Sequence, residues 1–333
     1  MDKILHVINW KGPPFSVAIQ KNDRDGKFVY SDAQRKFILK LEDMTKNDEG
    51  SENEKIVLET LLNEPKDNLP RPLKFYRTDD NVNISVMVNN GVSLDGKTFK
   101  QFFKESPSSN DFLMAVKSLV NAVQNLHSMG FIHRDITPGN VVYNRKTNQW
   151  TLIDFDFTVP FTYSAMGSEV IVNPKYDYII HPWFKLNEDD YMYFDVDRLK
   201  EYMHGTDVKW YMLIDYYAVS KVLLYTFGLL LSNNDTYPHV LKDERVMNCI
   251  IDANFTNSSA MLKKLLKILY EIVGSFNDHS NLPNATHSWD TLLILTGIKK
   301  NKKRLRNDSH TIKGSVGKLR RTNRGVRTYS LVK

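Results

Sequence analysis

Residues 132–144, IHRDITPGNVVYN, decide the fold together with the stretch IDFDF at 153–157. Asp135 and Asn140 are five residues apart, and Asp154 follows fourteen residues after Asn140. The segment between them predicts a short β-hairpin, in which NVVYN and WTLIDF are joined by the polar turn KTNQ. Because a hairpin returns the chain to its starting point, we expect these three side chains to lie on one side of a cleft.

These residues carry the side chains that phosphoryl transfer requires. His133, Arg134 and Asp135 with Asn140 form the pattern H-R-D-x-x-x-x-N, which resembles the catalytic loop of kinases. The reaction needs a carboxylate near the attacking hydroxyl, and an amide with a second carboxylate that hold Mg²⁺ against the phosphates. Asp154 stands where the second carboxylate belongs, so the two segments together indicate a kinase active site.

Alternating short apolar runs and turn-rich breaks over the first ninety residues predict the strands of an antiparallel sheet. The runs are SVAI, KFVY, KFILKLE, PLKFY and NISVMV. One helix is predicted over 54–62, where apolar residues recur at helical spacing and Pro65 follows as a stop.

The next part of the chain is predicted to be helical. Apolar residues spaced four, three, four and three apart over 112–126 predict a helix that ends at Gly130. A hydrophobic helix is predicted over 211–231 and an amphipathic one over 259–274. The fold class is therefore predicted as α+β and bilobal, with a small β-rich N-lobe that contains one helix and a larger, mainly helical C-lobe.

The N-terminal half supplies candidate nucleotide-binding residues. Lys40 lies in FILKLE, which resembles the kinase strand V-A-I-K whose lysine holds the α- and β-phosphates. Glu54 leads the following helix, as the helix-C glutamate of kinases does, and would pair with Lys40 when the site is assembled. Gly12, Met87 and Asn89 are also predicted to contact the nucleotide.

The chain resembles the eukaryotic protein kinase superfamily over about residues 8–296, and its strings HRDITPGN and LIDFD look most like the fungal-type protein kinase family. The resemblance implies ATP and Mg²⁺ as cofactors. It also implies a role for each matching residue: phosphate anchor Lys40 with its partner Glu54, catalytic base Asp135, and Mg²⁺ ligands Asn140 and Asp154.

Further positions extend the match. GSEVIVNPK aligns with the kinase string G-T-x-x-Y-x-A-P-E and places Pro174 at the end of the activation segment, while Asp215 corresponds to the aspartate that braces the catalytic loop. The resemblance implies that Arg134, grouped here with the catalytic residues, binds a phosphorylated residue of the activation segment. Candidates for that modification are Thr158, Thr162, Ser164 and Ser168.

Four departures from the family pattern bear on activity. The glycine-rich loop reads WKGPPFSVA, and its two prolines lack the N–H groups that cradle phosphate. Thr137 replaces a lysine near the transferring phosphoryl group. Asp156 replaces the third-position glycine of D-F-G, which stiffens the hinge and adds a carboxylate near the metals, and Lys175 replaces the A-P-E glutamate.

The charge of the chain is divided unevenly. Its 333 residues carry a net charge of +6, but residues 299–333 contain thirteen basic residues and one acidic residue, Asp308. That segment therefore carries about +12, and the preceding 298 residues carry −6. Few large apolar residues occur in the basic segment, so we expect it to be a disordered tail.

The domains are predicted as N-lobe 1–90, C-lobe 91–298 and basic tail 299–333. The tail is expected to bind an acidic partner, a nuclear import receptor or nucleic acid through KKNKKRLR. A solvated, disordered end of the chain with no binding role explains the same sequence equally well. A single cysteine, Cys249, and the absence of a signal-peptide pattern predict an intracellular protein of the nucleus or cytoplasm that is not secreted. The apolar stretch 210–231 contains Asp215 and Lys221, so no membrane span is expected.

Three functions are compatible with the sequence. The first is an ATP- and Mg²⁺-dependent kinase that phosphorylates Ser/Thr of a protein substrate. The second is a small-molecule kinase of the same fold, although Arg134 and the GSEVIVNPK segment favour protein substrates. The third is a pseudokinase or scaffold with a partner-binding tail, which the altered glycine loop and Lys175 support.

Overall fold

The computed structural model describes residues 6, 8–22, 26–46, 48–93, 109–163, 170–172, 210–231, 260–277 and 282–298. The chain divides into two units, Met1–Asn301 and Lys302–Lys333, and every described residue belongs to the first. The predicted basic tail, Cys249, Pro174 and Lys175 lie outside the described residues.

Five antiparallel strands form the sheet of the N-lobe, in the order β1-β2-β3-β5-β4. Each of the five predicted apolar runs forms a strand. The second and third strands are antiparallel neighbours, with Lys27 opposite Glu42 and Val29 opposite Lys40. The strands are β1 Phe15–Asn22, β2 Lys27–Asp32, β3 Phe37–Asp43, β4 Pro72–Arg77 and β5 Val82–Val88.

One helix, α1 (Asp48–Asn63), accompanies this sheet and packs against β4. It begins six residues before the predicted start at Glu54, because its first turns are polar and show no apolar periodicity. Its buried residues Val57, Leu58 and Leu61 join the large apolar core of the C-lobe, which ties α1 to the lower lobe.

The helix predicted before the catalytic loop is α2 (Ser109–Ser128), and Gly130 follows it with a φ of +86°. Strand β6 (Val92–Ser93) precedes α2, and strand β7 (Phe131–Ile132) follows it. A single 3₁₀ turn, Pro138–Asn140, then leads into the predicted hairpin of β8 (Val141–Asn144) and β9 (Gln149–Leu152). Val141 pairs with Leu152, so the open end of the hairpin lies beside Asn140.

Two short strands follow the IDFDF stretch. Strand β10 (Val159–Tyr163) pairs with β7 on one side and with β11 (Val170–Val172) on the other. These strands were not predicted: β10 depends on pairing with β7, which lies much earlier in the chain, and β11 is a short strand that pairs locally with β10. Through β10, the chain that follows Asp154 pairs with the strand that immediately precedes the catalytic loop.

Three helices complete the described part of the C-lobe. The predicted hydrophobic helix is α3 (Trp210–Leu231), and the predicted amphipathic helix is α4 (Ala260–Asn277). Helix α5 (Leu282–Thr296) was not predicted, and its Trp289 stacks on Tyr216 of α3 with ring centroids 4.0 Å apart. None of the helices among the described residues has the length and apolar character needed to cross a membrane.

Candidate active site

The catalytic loop, residues 133–140, holds Asp135 and Asn140 against each other. The amide nitrogen of Asn140 donates hydrogen bonds to the backbone carbonyl of Asp135 at 2.8 Å and to its carboxylate Oδ2 at 2.7 Å. With the amide nitrogen used in this way, the amide oxygen of Asn140 is the atom left to serve as a metal ligand.

The hairpin brings Asp154 to the same place. The N–H of Ile153 donates to the carbonyl of Asn140 at 2.8 Å, which joins the end of β9 to the catalytic loop. Asp154 has a φ of +66°, an uncommon conformation for a residue with a side chain. The geometry therefore places Asp135, Asn140 and Asp154 together, as the spacing of the sequence predicts.

The Asp154 carboxylate fits a bound cation. Its Oδ1 is buried and has no hydrogen-bond partner among the described residues. Burial raises the pKa of Asp154, but the ammonium groups of Lys40 and Lys27 outweigh it and lower that pKa below its usual value. An ionised carboxylate with a free oxygen, beside an amide oxygen, is the donor set that Mg²⁺ prefers.

Asp135 has the opposite electrostatic character. Burial, followed by the nearby charge of Asp154, raises its pKa to about 7, while the hydrogen bond from Asn140 opposes the rise. The two carboxylates therefore differ, since Asp154 stays ionised and Asp135 titrates near neutrality. Such a difference suits one group for binding a cation and the other for taking up a proton.

Asp215 of α3 braces the catalytic loop from below. Its fully buried carboxylate accepts the backbone N–H of His133 at 2.8 Å and that of Arg134 at 2.9 Å. The Nε2 atom of His127, on α2, lies 2.8 Å from the same carboxylate. Arg134 has a φ of +67°, so this bracing holds a left-handed residue immediately before Asp135.

The ring of His133 is held in its neutral form. Its Nδ1 accepts the N–H of Asp135 at 3.2 Å, and its Nε2 lies 3.2 Å from the carbonyl of Ile153, to which it donates. A nitrogen that accepts a hydrogen bond carries no proton, so this arrangement requires a neutral ring. Burial lowers the pKa of His133, in agreement with that geometry.

We expect His133 to make folding sensitive to mild acid. Because its pKa in the folded protein is below the ordinary value of about 6.5, the unfolded chain binds more protons below that pH and stability falls as the pH drops. His133→Gln should reduce the loss of unfolding free energy between pH 7.5 and pH 5.5, measured by chemical denaturation. His287→Gln, which changes an exposed histidine of α5, is the control. Equal pH dependence in the wild type and His133→Gln would contradict the assignment.

Lys40 and Glu54 form the ion pair that the sequence predicts. The lysine ammonium contacts the Glu54 carboxylate and lies 3.0 Å from Glu42 Oε1. Although burial alone lowers the pKa of Lys40, Glu42 and Glu54 raise it well above its usual value, so the lysine is charged. Helix α1 is thus held toward the cleft in the arrangement that orients a phosphate-binding lysine.

Arg134 lies inside the lobe and makes a different contact from the one that the resemblance implies. Its side chain is buried, and Nε donates to the carbonyl of Phe157 at 2.8 Å. Of the four candidate phosphorylation sites, Thr158 is buried and Ser164 and Ser168 lie outside the described residues. Binding of a phosphorylated residue by Arg134 stays a prediction.

The three remaining predicted nucleotide contacts are Gly12, which precedes β1, and Met87 and Asn89, at and after the end of β5. Gly12 packs on the ring of Trp10, where an added Cβ would lie 2.2 Å from the indole, and Trp10 Nε1 donates to the Pro13 carbonyl. Met87 is partly buried at the end of β5, and the Asn89 side chain donates to the Arg35 carbonyl and accepts the N–H of Gly91. Their contacts with nucleotide stay predictions.

Sequence reasoning missed four residues around this site. Lys27 contacts Asp156, Glu42 contacts Lys40, the Asn53 side chain donates to the Asp156 carbonyl, and His127 contacts Asp215. The available signal was strand alternation, since Lys27 and Val29 share a face of β2 as Lys40 and Glu42 share a face of β3. The register between β2 and β3, which brings Lys27 close to Glu42, could not be predicted from the sequence.

The comparison with known families agrees with this geometry. Residues 25–177, which contain strands β2–β5 of the N-lobe, the catalytic loop and the IDFDF stretch, match the protein kinase domain family. Residues 25–177 are thus similar to a protein kinase domain, and the described residues have the α+β bilobal architecture of that class. The match supports the class and does not define a subfamily.

Several curated proteins are similar over parts of the chain. A probable serine/threonine-protein kinase, fnkB of Dictyostelium discoideum, is 30% identical over 78 residues, which are 23% of this chain and 15% of the relative. A probable casein kinase II subunit alpha homolog of Encephalitozoon cuniculi is 27% identical over 155 residues, 40% of this chain and 49% of the relative. The human cell division cycle 7-related protein kinase is 40% identical over 38 residues, 11% of this chain and 7% of the relative. The chain thus spans less than half the length of these relatives.

Proposed function

We propose that this protein is an ATP- and Mg²⁺-dependent kinase that transfers the γ-phosphate to serine or threonine of a protein substrate. The observation that carries the proposal is the convergence of Asp135, Asn140 and Asp154 beside a formed Lys40–Glu54 ion pair. Phosphoryl transfer is catalysed mainly by positioning and charge, and this arrangement supplies both.

Each side chain has a defined task in that reaction. Asn140 and Asp154 would hold Mg²⁺, which supplies positive charge against the phosphates when bound. Lys40 would anchor the α- and β-phosphates, and Glu54 keeps its ammonium oriented. Asp135 orients the substrate hydroxyl and accepts its proton, a role that suits a carboxyl with a pKa of about 7.

Two features support a protein substrate and its residue type. One relative is named as a serine/threonine-protein kinase, one as a casein kinase II subunit alpha homolog and one as a protein kinase. The strings HRDITPGN and LIDFD further favour, within the superfamily, the fungal-type protein kinase family. Thr137, at the N-cap position of the 3₁₀ turn, takes the place of the lysine of many Ser/Thr kinases and leaves more of the charge stabilisation to Lys40 and the metal.

A transfer assay tests the proposal. The full chain, labelled ATP, Mg²⁺ and a generic basic protein should give phosphorylated serine or threonine, and Lys40→Met should lower the rate about 10²-fold or more, since a charged phosphate contact is lost. Lys36→Met, which removes an exposed lysine near the same strand, should leave the rate unchanged. Rapid turnover with metabolites and none with protein would favour a small-molecule kinase. Absence of nucleotide-induced thermal stabilisation with and without Mg²⁺ would favour a scaffold.

We also propose that the basic segment 299–333 determines partner or address, in the nucleus or the cytoplasm. Its charge of about +12 supports contact with an acidic partner, an import receptor or nucleic acid. A chain that ends at Ile298 should keep its transfer rate on a small peptide but lose binding to a polyanion such as heparin at about 0.15 M salt. Equal polyanion binding by both chains would contradict this proposal.

A further inference from the structure

A lysine of β2 reaches across the cleft to the start of the activation segment. Lys27 lies opposite Glu42 in the sheet register, on the face of β2 and β3 that also carries Lys40. Its ammonium forms an ion pair with Asp156 Oδ2 and lies 3.5 Å from Glu42 Oε1. Only 14% of the Lys27 side chain and 11% of the Asp156 side chain are exposed, so this pair is largely shielded from water.

A second contact fixes the backbone of the same aspartate. Asn53 Nδ2 donates to the carbonyl of Asp156 at 3.1 Å. Asn53 belongs to α1 and immediately precedes Glu54, the partner of Lys40. Strand β2 and helix α1 therefore both contact Asp156, two positions after Asp154.

The local charges explain why the lysine is needed. Carboxylate oxygens of Glu42, Glu54 and Asp156 lie within 4.8 Å of one another. Lys40 contacts Glu42 and Glu54, whereas Asp156 Oδ1 has no hydrogen-bond partner in the part of the chain that the structure describes. Lys27 is the ammonium group that directly contacts this third carboxylate. An uncompensated buried charge is strongly unfavourable, so loss of the lysine would drive Asp156 out of this position.

We propose that Lys27 is a positioning residue, whose ion pair with Asp156 holds residues 154–156 against β2 and α1 and so keeps Asp154 facing the cleft. The inference rests on the proposed function for the cation-binding role of Asp154. In this chain Asp156 stands at the third position of D-F-G, where a glycine would form a flexible hinge. Its ion pair with Lys27 restrains the backbone at this position instead.

The pair gives a test in which a double substitution repairs a single one. In the nucleotide-free full chain, Lys27→Met should speed hydrogen exchange of the amides at 155–158 and in α1 about tenfold or more. Lys27→Met with Asp156→Asn should return exchange to within about threefold of the wild type, because no carboxylate is left unpaired. Lys27→Arg should retain slow exchange. Lys55→Met, which removes a more exposed lysine of α1 paired with Glu52, is the control.

Thermal stabilisation by ADP with Mg²⁺ separates positioning from direct phosphate binding. Lys27→Met should lose most of this stabilisation and the double variant should regain it. A double variant as weak as Lys27→Met would overturn the inference, since the lysine would then act on the nucleotide itself. Unchanged exchange in Lys27→Met would overturn it as well. Repair of exchange in proteins that never transfer phosphate would instead support the clamp and contradict the proposed function.

Discussion

Asp135→Asn is expected to lower the rate of phosphoryl transfer about 10²- to 10⁴-fold, the usual contribution of a positioned general base. Asparagine has the same shape and can still accept the hydrogen bond from Asn140, but it cannot take the proton of a substrate hydroxyl. Nucleotide affinity should change by less than about threefold, because Asp135 is not placed as a phosphate or metal ligand. Transfer rates and nucleotide-induced thermal stabilisation measure the two effects.

The pH profile adds a second readout. Since the pKa of Asp135 is raised to about 7, the wild-type kcat/KM should rise as the pH increases through about 7, where the carboxyl becomes ionised. Asp135→Asn should lose this ascending limb together with its rate. Asp67→Asn, in an exposed turn outside the site, should keep both. A full transfer rate in Asp135→Asn would exclude Asp135 as the base.

Asp215→Ala is expected to destabilise the protein by about 3–5 kcal/mol, the usual cost of breaking a buried charged network. The substitution leaves the N–H groups of His133 and Arg134 and the ring of His127 without their shared acceptor inside the protein. Urea denaturation measures this loss. Asp215→Asn keeps one acceptor oxygen, so about half of the loss is expected and this variant provides folded protein for assays.

The effect of Asp215 on catalysis should exceed its effect on binding. Without the brace, the left-handed backbone of Arg134 relaxes and displaces Asp135, so Asp215→Asn should lower kcat more than it raises the KM for ATP. Ser220→Ala removes a buried hydroxyl from the same helix, bonded to the Tyr216 carbonyl, and should cost about 1 kcal/mol with kcat unchanged. Equal losses of stability in Asp215→Ala and Ser220→Ala would contradict the bracing role.

Much of this fold could be predicted from sequence because local patterns carry it. The five strands, α2, α3, α4 and the hairpin before Asp154 follow from apolar periodicity and turn residues. Helix α5 was missed because Pro283, Asn284, Thr286 and His287 interrupt the apolar pattern of its first turns. Strand β10 depends on pairing with the distant strand β7, and the three-residue strand β11, which pairs with β10, is too short to show a periodic pattern.

The site divides in the same way. Asp135, Asn140 and Asp154 come together through a short loop and a hairpin, so their spacing suffices to predict their proximity. The contacts of Lys27 and His127 join strands and helices distant in sequence, and their partners follow only from register and packing. Sequence reasoning therefore finds the reacting groups more readily than the groups that hold them.

The ion pair between Lys27 and Asp156 also constrains how this site can diverge. Replacement of Asp156 by glycine alone would leave Lys27 beside Lys40 with one fewer negative charge to balance it. Loss of Lys27 alone would leave the Asp156 carboxylate buried without its ion-pair partner. Each single change passes through a less stable intermediate, so the two positions are expected to be exchanged as a pair. Relatives with glycine at the position of Asp156 should then lack a basic residue at the position of Lys27.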